Sequence, residues 1–275
     1  MNVERLRRRT LQRAGVTLSL YDAGPGGQPV LFQHGLCGSA QQTAEALPET
    51  DELRLLTLEC RGHGASPAGA LEALSIATFA DDLIAAIEQE ALAPLVLGGI
   101  SMGAAISLRI AALRPELVRG LILARPAWLT EAAPANMQPN AEVGELLAEG
   151  DPEQARRRFE ASPTARRLAA EAPDNLASLL GFFARVPQSV TSALLQRIAA
   201  DGPGVGAEQL CAIRCPALVI GHAADSVHPL SLARELAGLL PRGEFVEITP
   251  KSVSRAAYVD DMHRAILRFT RSVAP

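Results

Sequence analysis

Short apolar runs alternate along this chain with segments in which apolar residues recur at helical spacing. The runs lie at residues 16–21, 30–32, 53–58, 94–97, 121–123, 217–220 and 245–248, and each has the length of a strand. Helical spacing covers residues 76–92, 104–110 and 255–272. This alternation predicts an α/β fold, with a mostly parallel sheet and helices on both of its faces. In such a fold, ligands bind at the carboxyl ends of the strands.

The alternation stops between residues 126 and 210. This segment is rich in Ala, Arg and Glu and has helical runs near residues 141–149, 152–161 and 189–200. We interpret it as a helical lid inserted after one strand. We therefore expect a core domain of residues 1–125 and 211–275 and a lid, or cap, of residues 126–210. Four apolar side chains of the lid either face a pocket or pack the lid onto the core, namely Leu179, Leu180, Phe182 and Phe183.

The composition is consistent with an α/β protein of this size and argues against nucleic acid or a membrane as a partner. The chain has 275 residues, 48% of them hydrophobic, which is ample for a large core. Its formal net charge of −4 gives no reason to expect nucleic acid. No apolar run is long enough to span a membrane. Leucine and valine interrupt the basic N-terminal residues, which favours a first strand with a solvated basic face: Arg5, Arg7, Arg8, Arg9 and Arg13.

The four cysteines, Cys37, Cys60, Cys211 and Cys215, give no sign of a bridge or a metal site. Without a signal peptide they are expected to be free thiols, and we expect a cytoplasmic protein. Cys211 and Cys215 lack a second pair of ligands, so zinc is not expected. We expect neither a cofactor nor a metal, and the oligomeric state is not predicted.

The strongest chemical signal is Gly99-x-Ser101-x-Gly103, between a predicted strand and a predicted helix. This is the setting of a nucleophile elbow, a sharp turn that exposes the serine hydroxyl. Glycines two residues on either side let the strand and helix cross closely. The helix N-terminus offers unpaired N–H groups to developing negative charge.

With three further motifs, the chain resembles the α/β-hydrolase family over most of its length. These are His34-Gly35, Arg61-Gly62-His63-Gly64-Ala65-Ser66 and Gly221-x-x-x-Asp225-x-Val227-x-Pro229, each after a predicted strand. The resemblance implies that Ser101 is the nucleophile and Asp225 the acid of a catalytic triad. It also implies that the backbone N–H groups of Leu36 and Met102 form an oxyanion hole, and that His34 and His63 are structural.

The sequence departs from the family pattern at the catalytic histidine. The family has it on the loop after the last strand, near Ser252 or Val253 here, yet no histidine occurs between His228 and His263. Serine is a poor nucleophile at neutral pH unless a neighbouring base takes its proton.

Four residues are candidates for the missing base. His228 lies three residues after Asp225 and becomes the base if its loop turns inward; otherwise it packs under the lid. Lys251 occupies the expected histidine loop and is a base, an anion-binding residue or a solvated lysine. His222 follows a strand and either approaches Asp225 or is held at the strand end. His263 lies in the last helix, and we expect it at the surface.

We expect a serine hydrolase that acts on a small ester, lactone or related acyl substrate, with His228 as a rearranged base. The substrate has a partly apolar body and an anionic or polar end, which Arg125 and Lys251 would bind; Arg125, with Trp128, instead anchors the lid in the alternative interpretation. Two other functions remain open. One is a non-hydrolytic lyase, isomerase or acyltransferase, and the other is a catalytically silent small-molecule-binding protein.

Overall fold

The predicted strands form a single sheet of eight in the computed structural model, which describes residues 3–274. The sheet order is β1-β2-β4-β3-β5-β6-β7-β8. The strands are β1 Arg7–Arg13, β2 Val16–Asp22, β3 Gln28–Gln33, β4 Leu53–Leu58, β5 Leu95–Ile100, β6 Val118–Ala124, β7 Ala217–Gly221 and β8 Gly243–Glu247. The strand β1 was expected from the basic N-terminal segment, and Arg7 and Arg8 are exposed on it.

All pairs except β1 with β2 and β2 with β4 are parallel. The mostly parallel sheet is therefore confirmed. Its parallel register brings the carboxyl ends of β3, β5, β6 and β7 to one edge, where Gln33 is level with Gly99 and Ala124 with both Ile100 and Ile220.

Helices cover both faces of the sheet, as the apolar stripes predict. Six of the helices are α1 Ala40–Ala46, α2 Ile76–Gln89, α3 Met102–Leu113, α9 Ala207–Ala212, α10 Leu230–Leu239 and α11 Arg255–Ser272, and α9 crosses the boundary expected after residue 210. One apolar cluster packs α2, α3 and α10 onto one face through residues such as Leu97 and Val219. A second packs α1 and α11 onto the other face through residues such as Val96 and Leu218. Alternate residues of the same strands thus serve opposite clusters.

Five α-helices lie between β6 and α9, where the strand rhythm stops. They are α4 Gln138–Ala148, α5 Pro152–Glu160, α6 Pro163–Glu171, α7 Pro173–Phe182 and α8 Gln188–Ala199. Three match the predicted runs, whereas α6 and α7 were not predicted individually. These helices share an apolar cluster that includes Phe159, Leu168 and Phe183. We call residues 126–210 the helical insertion; its division from the core as a separate lid stays a prediction, and residues 1–2 and 275 of the expected core lie outside the described residues.

The cysteines, the helices and the potential metal ligands bear on three sequence-based expectations. Cys37, Cys60, Cys211 and Cys215 are free thiols. Within residues 3–274, none of the helices has the length and apolar character needed to cross a bilayer. No cluster of three or more potential metal ligands is found among the same residues.

Candidate active site

Ser101 occupies a sharp turn between β5 and α3. Its backbone has φ 55° and ψ −112°, a conformation that is strained for a residue with a side chain. A Cβ atom at Gly99 would lie 2.4 Å from the carbonyl carbon of Gly103, and one at Gly103 would lie 2.4 Å from the carbonyl oxygen of Gln33. The two glycines therefore permit the close crossing of strand and helix that the motif predicts.

His228 extends from the loop after β7 and reaches this serine. Its Nε2 lies 2.8 Å from Ser101 Oγ. Its Nδ1 lies 3.0 Å from both carboxylate oxygens of Asp225. The three side chains thus form a continuous hydrogen-bonded chain, and the histidine and the carboxylate that orients it come from one short loop.

That loop is closed by its own carboxylate. Asp225 Oδ1 accepts a hydrogen bond of 2.9 Å from the backbone N–H of His228. The turn brings the imidazole back over its acidic neighbour, and Pro229 then precedes α10. A separation of three residues is therefore enough for both groups to meet at the sheet edge.

Two residues from other elements also bind Asp225. The guanidinium of Arg125, directly after β6, donates to Oδ2 from Nε at 2.9 Å and from an Nη at 2.7 Å. Asn175 of α7 donates to Oδ1 at 2.9 Å. The Asn175 amide oxygen accepts from the backbone N–H groups of Ser226 and Val227 at 2.7 and 3.2 Å. The acid is therefore held by the core and by the helical insertion.

These contacts set the charge states of the pair. Burial alone would raise the pKa of Asp225, but its interactions with His228, Arg125 and Asn175 outweigh burial and hold the pKa well below its ordinary value. Burial lowers the pKa of His228; Asp225 opposes this, while Arg125 and Lys251 add to it. A neutral imidazole next to an ionised carboxylate results, which is the state a general base needs.

The contact between Arg125 and His228 follows from this charge state. An Nη of Arg125 lies 3.2 Å from His228 Nδ1. If Nε2 accepts the Ser101 proton, Nδ1 carries a hydrogen and donates it to Asp225. The guanidinium and the imidazole are then two donors that share one carboxylate.

His34 and His63 hold the turn after β3. His34 Nδ1 donates to the carbonyl of Gly35 at 2.9 Å, and its Nε2 accepts from the N–H of Cys60 at 3.1 Å. His63 Nδ1 donates to the Arg61 carbonyl at 2.9 Å, and its Nε2 accepts from the N–H of Cys37 at 3.0 Å. Both rings are fully buried, so they shape the turn that carries Leu36.

The expected oxyanion-hole residues lie beside Ser101. Leu36 lines the same cavity as Ser101, and Met102 is the first residue of α3. The first N–H groups of a helix have no partner within the helix, which leaves them available to an anion. The role of the two amides as an oxyanion hole stays a prediction.

The loop after β8 contains Lys251 where the family has its histidine region. The Lys251 ammonium lies 4.7 Å from the ring centroid of Tyr258, and no hydrogen bond joins it to Ser101. Val253 is 74% exposed, so that position faces solvent. The side chain within hydrogen-bond reach of Ser101 is therefore that of His228 and not that of Lys251.

The other candidates lie outside this chain of contacts. His222 is buried, with Nε2 3.6 Å from Asp225 Oδ2 and Nδ1 donating to the carbonyl of Ala223 at 2.6 Å. His263 Nε2 contacts the carbonyl of Glu45 at 2.9 Å. The indole of Trp128 is buried and donates to the carbonyl of Asp201 at 2.9 Å, so it does not pair with Arg125 in the cavity.

A cavity of about 470 Å³ opens above Ser101 between the core and the helical insertion. Its wall includes Ser101, His228, Arg125 and Lys251. Of the four apolar residues proposed for the pocket, Leu179 and Phe182 line it, whereas Leu180 and Phe183 do not. A larger cavity of about 630 Å³, between α8 and residues 71–72, contains none of the candidate residues.

Sequence reasoning missed two residues here. Asn175 lies in the first turn of a helix and carries no motif, so nothing in the sequence linked it to Asp225. Arg185 lines the cavity from the segment between α7 and α8, and one of its Nη atoms donates to the Gly62 carbonyl at 2.7 Å. For Arg125 the predicted position was right, but its bond to Asp225 was not foreseen.

Comparison with known proteins identifies the family. A family model described as "alpha/beta hydrolase fold" matches residues 28–252. A putative carbamate hydrolase from Klebsiella pneumoniae is 30% identical over 239 residues, which are 82% of this chain and 84% of that protein.

Two further proteins share part of the sequence or the fold. A mouse sn-1-specific diacylglycerol lipase is 29% identical over 136 residues, 48% of this chain, and the match spans less than half, 42%, of that protein. A thermophilic esterase from Thermogutta terrifontis superposes with a TM-score of 0.72 at 22% identity, covering 98% of this chain and all of that one, and so shares the fold. Because the family model matches most of its length, this chain belongs to the α/β-hydrolase family.

Proposed function

We propose that the protein is a serine hydrolase for a small ester, lactone or related acyl substrate, with His228 as its general base. The observation that carries the proposal is the distance of 2.8 Å between Ser101 Oγ and His228 Nε2, combined with the contact of Nδ1 with Asp225 at 3.0 Å. These are the contacts by which a triad is recognised, whatever the order of its members in the chain.

In the proposed reaction, Ser101 Oγ attacks the acyl carbonyl while His228 Nε2 takes its proton. The N–H groups of Leu36 and Met102 would stabilise the oxyanion of the tetrahedral intermediate. His228 then protonates the leaving group, and the acyl-enzyme remains. A water molecule, deprotonated by His228, attacks the acyl-enzyme and releases the acid and Ser101.

In this proposal the base and the acid both come from the loop after β7, and not from two separate loops. The imidazole of His228 therefore has to be held in position by contacts within this loop and by contacts to it. Asp225 supplies some of these contacts, since it binds both the backbone and the side chain of His228. Arg125 and Asn175 fix the carboxylate from two further elements. Precise positioning of an imidazole by a bound carboxylate is what its work as a base requires.

The relatives and the cavity agree with acyl chemistry. The carbamate hydrolase and the lipase are both named for cleavage of a bond to a carbonyl carbon. The cavity of about 470 Å³ falls within the range typical of small-molecule sites.

Labelling with a fluorophosphonate probe tests the proposal. The probe phosphonylates an activated serine, so the wild-type protein should be labelled on Ser101 and Ser101→Ala should not. His228→Ala should slow labelling by about 10³-fold or more, because the hydroxyl loses its base. Lys251→Met, which removes the rival candidate, should still be labelled.

Two results would overturn the proposal. Absence of labelling at every pH would favour a non-hydrolytic enzyme or a binding protein. Labelling at the wild-type rate in His228→Ala would assign the base to another residue. Circular dichroism of each variant distinguishes loss of chemistry from loss of fold.

A further inference from the structure

Lys251 is the single lysine of the 275-residue chain, and all the other residues among its 26 Lys and Arg are arginine. Its position is the wall of the cavity that contains Ser101 and His228. Lysine differs from arginine in presenting a compact point charge with three freely directed donors. The one side-chain ammonium of this protein therefore belongs to a residue that lines the candidate site.

This ammonium has no partner of opposite charge. Among residues 3–274, no carboxylate oxygen lies within 4.0 Å of it, and none of those residues accepts a hydrogen bond from it. Its contact is the ring of Tyr258, 4.7 Å away, which holds a cation but accepts no ordinary hydrogen bond. The side chain is half-buried, and its three donors have no acceptor among residues 3–274.

The other two cations of the cavity wall are already engaged. Arg125 binds Asp225 through two hydrogen bonds, and Arg185 binds the Gly62 carbonyl and the Thr191 hydroxyl. The wall itself contains no aspartate or glutamate. Lys251 is therefore the cation best able to accept a charged partner in this cavity.

More distant charges do not neutralise Lys251. Burial and the charges of Arg125 and Arg255 lower its pKa, whereas Glu45 and Asp174 oppose this, and the net result is a lowered pKa. Glu45 forms an ion pair with Arg255. A bound anion would favour the charged form of Lys251 and so raise this pKa.

We propose that Lys251 binds a carboxylate carried by the acyl substrate at a distance from the bond that is cleaved. The inference rests on the proposed function, and it narrows the substrate class to monoanionic acyl compounds such as hemiesters of dicarboxylic acids. One ammonium matches one carboxylate in charge. It also assigns the anion to Lys251 alone, whereas the sequence suggested Arg125 and Lys251 together.

Two matched substrates test the proposal, namely p-nitrophenyl butyrate, which is neutral, and the mono-p-nitrophenyl ester of glutaric acid, which carries a carboxylate. Wild-type protein should have a higher kcat/KM for the anionic ester. Lys251→Met should lower the ratio of the anionic to the neutral kcat/KM by about tenfold or more, mainly through KM. The control Arg268→Gln removes an exposed cation of α11 that lies outside this cavity wall and pairs with Glu244, and its ratio should equal that of the wild type.

The outcomes separate this inference from the proposed function. If neither ester is hydrolysed, the hydrolase proposal fails. If the neutral ester is hydrolysed and Lys251→Met leaves the ratio unchanged, the hydrolase proposal stands and the carboxylate site is wrong.

A second measurement reads Lys251 without any turnover. Reductive ¹³C-methylation of the Ser101→Ala variant keeps the positive charge of Lys251. It labels this side chain and the N-terminal amine. Addition of glutarate should shift the Lys251 resonance and raise its pKa, whereas neutral glutaramide should do neither. If glutarate changes neither the resonance nor the pKa of Lys251, the proposal is wrong.

Discussion

At the scale of single residues, Asp225 is bound more extensively than contact with one histidine requires. Arg125 and Asn175 donate to its side chain, and so does the backbone of its own loop. The sequence pointed to Asp225 and Ser101 through their motifs, and it brought His228 into consideration through proximity along the chain. The distance between His228 and Ser101, and the contact of Arg125 with Asp225, depended on residues a hundred or more positions apart.

Arg125 offers a test of how charge tunes the proposed base, His228. Burial, aided by the guanidinium of Arg125, lowers the pKa of His228, so the acid limb of kcat/KM in the wild type should lie below the ordinary histidine value of 6.5. In Arg125→Met this limb should move to higher pH, because the base becomes easier to protonate. The maximal rate should also fall, by less than the roughly 10⁴-fold typical of losing the triad acid.

The measurement is a pH profile of ester hydrolysis for both proteins. Arg255→Gln, a nearby cation outside the Asp225 contacts, should keep the wild-type limb. An acid limb that stays in place or moves to lower pH in Arg125→Met would contradict this account of the pKa of His228.

At the scale of elements, the turn from β5 to α3 depends on close packing of backbone. From the sequence we expected the two glycines of the motif to permit this packing, and the contacts of Gly99 and Gly103 agree. By contrast, α6 and α7 were not predicted, because their few apolar residues satisfy a small cluster of neighbouring helices. The periodicity of a single segment carries little information about such a cluster.

Gly103→Ala should destabilise the protein by at least about 2 kcal/mol, since the new methyl group would meet the backbone carbonyls of Gln33 and His34 at 2.4 and 2.8 Å. Gly238→Ala is the matched control. Gly238 lies exposed in α10, and its added Cβ would have nothing within 4 Å. That change should stabilise the protein by about 0.5–1 kcal/mol through helix propensity.

Urea unfolding at neutral pH measures both free energies. A Gly103→Ala protein as stable as the wild type would show that α3 can move away from β3. The close crossing would then not be required for the fold.

At the scale of the whole molecule, four of the five histidines have lowered pKa values. Burial is the first cause for His34, His63, His222 and His228, and it brings the pKa of His34 to about 4. For His34 and His63 the hydrogen bonds also favour the neutral form of the ring. Each Nε2 accepts a backbone N–H, so a proton there would set two donors against each other.

The free energy of unfolding should therefore fall in mild acid. An unfolded histidine takes up a proton near pH 6.5, whereas folded His34 does so only near pH 4. The contribution of such a buried, neutral histidine to the free energy of unfolding is fully present above pH 6.5. It should decrease by about 1.4 kcal/mol per pH unit for each histidine of this kind as the pH falls from 6.5 towards 4.

Urea unfolding at pH 7.5, 6.0 and 5.0 measures this slope. His63→Gln should have a shallower slope than the wild type, because it removes one of the buried groups. His263→Gln alters a half-buried histidine on α11 and serves as the control. Equal stability at pH 7.5 and 5.0 would contradict the prediction.

The sequence by itself determined the strand and helix alternation, the elbow around Ser101 and the absence of a histidine on the loop after β8. These are local properties, because periodicity, glycine geometry and motif spacing depend on nearby residues. Only the tertiary structure decided that His228 reaches Ser101, that Arg125 is engaged by Asp225, and that Lys251 faces the cavity without a charged partner. Those facts depend on how the loops after β6, β7 and β8 and helix α7 meet at one edge of the sheet, which sequence spacing does not encode.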